Sequence, residues 1–259
     1  MTFTLRLTAD LTLALAARTL GNKNADPLIL HLSPDTDFQI SSDSPSRNAR
    51  SGGNSPSQAG ALVPRYQSPI LWIAGAEPLD YSDVARFTNA LAASDRHVFL
   101  QTSGAALKRR LHEFQPSSRF YFTIRFDGTR PLEEQRSGED GAYRVGLEAI
   151  RMARLAGFFT CAHLVAGSGV AAGELDALHA EISKLDVDGF LITSASHKPG
   201  IDASVKKLRR RLLSRRWALL SDLVEAAARP SASPGSRQID RQPVSETGPG
   251  GFEEGTEAG

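Results

Sequence analysis

The sequence holds a single cysteine, Cys161, among 259 residues. That excludes an internal disulfide framework and any zinc or iron-sulfur site whose ligands are all cysteines of this chain. It fits a reducing, cytoplasmic compartment. Charge of one sign is also lacking: 30 Lys and Arg stand against 29 Asp and Glu, a formal net charge of +1. No global field therefore draws the chain to nucleic acid or to an anionic membrane, and any such attraction must be local. Long hydrophobic runs are missing as well. The apolar stretch from Leu11 to Leu20 is interrupted by Thr12 and Arg18, falls short of the roughly 20 apolar residues that span a bilayer, and lacks an export-type cleavage pattern. Residues 1–27 read as an amphipathic helix packed on the domain.

What is present is enough apolar material for a substantial core, 41% of the residues. Short apolar runs predict strands at Leu28–Leu32, Ile70–Ala74, Val98–Thr102, Phe120–Phe126, Phe158–Val165 and Gly189–Ser194. Apolar residues at three and four spacing predict helices at Tyr81–Ser94, Ala105–Glu113, Tyr143–Ala156 and Gly173–Leu185. This alternation is the pattern of βα units and a parallel sheet. Two stretches are rich in Ser, Gly and Pro: an insert at Ser41–Gln67 and a tail from Arg229 to Gly259. Neither can bury enough apolar surface to offset its ordering entropy, so both read as disordered. Residues 200–228 form a basic helical segment in which Val205, Leu208, Leu212, Trp217, Leu220 and Val224 share a stripe, with the Lys and Arg side chains expected in solvent.

In parallel α/β barrels the chemistry gathers at the carboxyl ends of the strands. The second predicted strand ends in Gly75-Ala76-Glu77-Pro78, the third in Thr102-Ser103-Gly104, and the fourth in Arg125-Phe126-Asp127-Gly128. In order and spacing these resemble the GGEP, TNG and S-x-D-G endings of the radical-SAM enzymes. The likeness runs from about Leu28 to Pro199 and is nearest to the radical-SAM proteins of hopanoid biosynthesis. It implies a partial (βα)6 parallel barrel of the radical-SAM type at 28–199. It also implies an S-adenosylmethionine (SAM) site at Gly75, Ala76, Glu77, Pro78, Thr102, Arg125, Asp127 and Ser168.

One departure governs the functional expectation. Family members carry CxxxCxxC after the first strand, because their four-iron cluster is held by cysteine thiolates. Counted from Pro34, those positions are Phe38, Ser42 and Pro45, none of which supplies a thiolate. The expected protein is therefore a pseudoenzyme without an iron-sulfur cluster. It would serve as a small-molecule or SAM-binding sensor, a scaffold, or an accessory to an intact radical-SAM enzyme. With Ala76 in place of the motif's second glycine, SAM would be held weakly.

Two rival readings stay open. Glu77, Asp127, His163 and His197, with Arg125, could perform acid-base chemistry at the barrel mouth without iron. The competing view makes the histidines hydrogen-bonded barrel residues and Arg125 with Asp127 a structural pair. The basic C-terminal segment could instead give peripheral membrane contact. Cys161 shares a strand face with His163 and reads as a small buried hydrophobe.

Overall fold

The computed structural model describes residues 4–20, 26–33, 66–127, 141–166, 172–195 and 199–228. Six strands appear where the apolar runs predict them: β1 (Ile29–Leu32), β2 (Ile70–Ile73), β3 (His97–Thr102), β4 (Phe120–Phe126), β5 (Phe159–Ala166) and β6 (Gly189–Ser194). They form one sheet in sequential order, every neighbouring pair parallel. Crossovers that all step the same way put their helices on one side, and the twisted sheet curls into a half-barrel. The helices are α1 (Leu5–Thr19), α2 (Val84–Ala92), α3 (Ala105–Arg110), α4 (Ala142–Leu155), α5 (Ala172–Ser183), α6 (Pro199–Leu212) and α7 (Arg215–Ala228). All described residues belong to one unit, Met1–Arg229. The insert, apart from its last two residues, and the tail lie outside them.

The alternation along β4 sorts residues between the two faces. Phe120, Phe122 and Phe126 point to the helical side, where Phe120 and Phe122 lie 4.8 Å apart and Phe114 meets Phe122 at 5.1 Å. Phe126 reaches α4 at Gly146, where a Cβ would come within 2.9 Å of its ring. The concave face begins with an aromatic layer. Trp72, Phe99, Tyr121 and Phe159 follow one another at 6.0, 4.5 and 5.2 Å. The concave face turns polar only above this layer, at Gln101, Arg125 and His163.

Helix α1 lies under the amino ends of the strands. Its side chains Leu7 and Leu11 are buried, and Asp10 meets both His97, the first residue of β3, and Arg119, just before β4. Thr4 caps the helix by accepting from the Leu7 amide, and its hydroxyl lies 2.9 Å from that of Tyr121.

The C-terminal segment corrects the sequence reading. It is two helices, broken at Leu213–Ser214, and Arg209 is 1% exposed rather than solvated. Strand β6 is an edge, and its outward backbone groups need partners. The Ile192 amide donates to Ser221 Oγ at 3.2 Å and the Ser194 amide to Glu225 at 3.3 Å. Arg209 donates to the Ile192 carbonyl while its guanidinium pairs with Glu225 and Asp222. Helix α7 also packs on β1, so it spans the lateral gap between the two edge strands. Trp217 sits directly over Gly189, where a Cβ would overlap its ring.

Candidate functional site

The mouth at the carboxyl ends of β2, β3 and β4 is built from three turns. After β2 the chain turns at Gly75, whose φ of 149° favours glycine, and Glu77 caps a short 3-10 turn at Pro78–Asp80. One oxygen of the Glu77 carboxylate accepts from the Leu79 amide at 3.2 Å. The other accepts from the amide and hydroxyl of Ser103 at 2.8 and 2.7 Å. Glu77 thus ties the turn after β2 to the turn after β3 with charge-assisted bonds. It is a positioning residue, its carboxylate engaged by donors of the protein itself. Gly75 and Ala76 are exposed beside it, while Pro78 is buried and anchors the turn.

Thr102 is buried, and its hydroxyl accepts from the Gly104 amide at 3.4 Å. Gly104 has a φ of 95° and packs on Gly146 of α4, where a Cβ would meet the opposing Cα at 3.0 Å. This close approach is what the small residues in both places permit. Next to it, Arg125 donates through Nε and Nη2 to one oxygen of Asp127 at 3.0 and 2.8 Å. The two candidates are therefore partners in a half-buried ion pair at the rim.

His163 lies in β5 three residues before its end, not at the strand terminus, and is buried. Its Nδ1 is 2.8 Å from Gln101 Oε1, its Nε2 2.7 Å from Thr193 Oγ1, and Trp72 meets its ring edge-on at 5.4 Å. A carbonyl oxygen can only accept, so Nδ1 carries the proton and Nε2 accepts from the Thr193 hydroxyl. Burial lowers the His163 pKa to about 3, with smaller contributions from Arg125 and Arg209. The imidazole is neutral and both nitrogens are engaged, the arrangement of a hydrogen-bonded barrel histidine.

The neighbours Gln101, Thr193 and Trp72 were not legible as site residues. Only the register, which aligns Gln101 with Thr123 and Arg125 with His163, brings them to one layer. Cys161 is fully buried on the same face, paired in register with Thr123 and Gly189. Desolvation pushes its thiol pKa well up, so it is a protonated core residue. His197, Ser168, Phe38, Ser42 and Pro45 lie outside the described residues.

An iron-sulfur cluster does not fit the donor set. The chain's single thiol faces the interior of the half-barrel and is held protonated, and no second cysteine exists to join it. Among the described residues no group of three or more His, Cys, Asp or Glu side chains is placed to hold a metal ion.

No protein-family model and no curated protein matches this sequence. Solved structures do match. SuiB of Streptococcus suis bound to its precursor peptide SuiA aligns over 77% of this chain with a TM-score of 0.55 and 14% identity. The same protein bound to S-adenosylmethionine aligns over 77% with a TM-score of 0.52 and 13% identity. The fold is that of a radical-SAM partial barrel. Coproporphyrinogen III oxidase (HemN) from Escherichia coli, a radical SAM enzyme, aligns over 61% of this chain and 39% of its own, with 16% identity and a TM-score of 0.38. The present radical-SAM-type barrel spans about half of the SuiB chain, 48%.

Proposed function

We propose that this radical-SAM-type barrel is a pseudoenzyme: it binds an adenosyl compound of the SAM class at its carboxyl mouth and assembles no iron-sulfur cluster. The observation that carries the reading is Cys161, the sole cysteine, sealed in the concave core on β5 with its thiol protonated. The turns that would face the ligand are nevertheless present. The backbone of Gly75 and Ala76 would meet the amino group of the ligand, with Glu77 holding that turn in place through Ser103. The Arg125–Asp127 pair at the rim would meet polar groups of the ribose or carboxylate. Such a protein acts as a sensor, a scaffold or the accessory of an intact radical-SAM enzyme in a reducing cytoplasm, and the hopanoid-type motif endings suggest a lipid pathway.

Acid-base catalysis at the same mouth draws less support, because Glu77 is engaged by backbone and hydroxyl donors and His163 is neutral with both nitrogens bonded. The test is calorimetry with SAM and S-adenosylhomocysteine on the parent, Glu77→Ala and Asp127→Ala, alongside anaerobic reconstitution with iron and sulfide. The expected result is binding weakened roughly tenfold or more by Asp127→Ala, the worth of one lost charge-assisted bond, and weakened by Glu77→Ala through release of the turn it holds, without a stoichiometric iron-sulfur chromophore. Equal affinity in all three proteins, or a stable cluster in the monomer, overturns the proposal.

A further inference from the structure

The amino end of the half-barrel, opposite the mouth, carries an unusual surface. Among the described residues, four of the five exposed large hydrophobic residues lie there: Leu5 (85% exposed) and Leu13 (70%) on α1, Leu20 (88%) just after it, and Leu155 (89%) at the end of α4, four residues before β5 begins. Helix α1 is apolar on two sides. Leu7 and Leu11 face the strands, while at 100° per residue Leu5, Ala9, Thr12, Leu13, Ala16 and Leu20 lie on the opposite side, all exposed and none charged. Single exposed leucines are ordinary, but a concentration on one end marks an interaction surface.

The charges around this surface select the partner. Arg18 near the end of α1, Lys184 before β6, and Arg215 and Arg216 at the start of α7 are exposed at the same end, with no ion-pair partner among the described residues. Of the carboxylates there, Asp10 and Asp95 share Arg119, and Asp186 and Asp188 share Arg154, so each pair keeps one negative charge against the four unpaired cations. Leucines flanked by unpaired cations complement an anionic bilayer, where apolar groups enter the acyl boundary and basic groups meet the headgroups. A second copy of the same face would set cation against cation. Arg209 is buried and cannot contribute, and no described helix is long and apolar enough to cross a membrane.

We propose that the amino end of the half-barrel, through Leu5 and Leu13 of α1 and Leu20 just after it, together with Arg215 and Arg216, docks on an anionic lipid surface and leaves the mouth facing water. Flotation of the full chain with phosphatidylcholine vesicles, with and without phosphatidylserine, tests this at low and high salt. The parent floats with phosphatidylserine vesicles at low salt and is released by salt. Arg215→Gln/Arg216→Gln lowers the partition coefficient about 30-fold, and Leu5→Glu/Leu13→Glu/Leu20→Glu lowers it at least as far. Arg144→Glu, at the opposite end, leaves it within about twofold. Circular dichroism establishes that each variant is folded. Vesicle binding that ignores phosphatidylserine, or that survives both sets of substitutions in folded protein, overturns the proposal. So does a parent that never floats but is a dimer by light scattering and becomes a monomer with the leucine substitutions, which would assign the face to a second copy.

Discussion

Replacing Arg209 with Met tests whether α6 and α7 close the edge of β6. The guanidinium is 1% exposed and Glu225 is 5% exposed, so the substitution leaves a buried carboxylate without its cation and the Ile192 carbonyl without its side-chain donor. Removing one partner of a buried pair costs about 3–5 kcal/mol, a large share of the roughly 5–15 kcal/mol that hold a domain together. Glu225→Met should cost a similar amount. The double substitution should cost no more than either single one, because the uncompensated charge disappears. What then remains is chiefly the unmet amide of Ser194 and carbonyl of Ile192, at about 1–3 kcal/mol each. The coupling energy between the two sites should therefore exceed about 2 kcal/mol. Urea unfolding followed by circular dichroism and by tryptophan emission measures all four proteins, since Trp217 is buried in this packing. Arg210→Met, at the exposed neighbour, should stay within about 0.5 kcal/mol of the parent. An Arg209→Met protein as stable as that control, or single effects that simply add, would refute the edge-closing role.

Gly189→Ala should destabilise by about 1–3 kcal/mol, because the added methyl overlaps a Trp217 ring that is itself buried and has no room to retreat; a thermal midpoint equal to the parent's would remove Trp217 from the concave face. His163 makes stability depend on acid. Neutral in the folded state down to about 3 but protonated below 6.5 when unfolded, it subtracts about 1.4 kcal/mol for each pH unit between those limits as pH falls, and nothing above 6.5. His163→Gln should flatten that difference between parent and variant in unfolding measured from pH 7 to pH 4, and identical pH profiles would show that the imidazole is solvated.

The six strands and the parallel βα order were legible in the sequence, because a parallel sheet covered by helices is written locally as short apolar runs alternating with helix-period segments. The turn after β2 was legible too: a Gly followed two residues later by Glu-Pro needs no distant partner to be recognised as a turn. The one cysteine likewise determined, without coordinates, that no set of thiolates can form. Partnership across the sheet was not legible. That Glu77 is bound to Ser103, that Gln101 and Thr193 grip His163, and that Arg209 is a buried edge cap all depend on strand register and on where α7 comes to rest. An arginine in a basic run has the same local pattern whether solvated or buried. Its fate was decided by the unpaired backbone groups of β6, which come close only in the tertiary structure and which supply the hydrogen bonds that a buried charge requires.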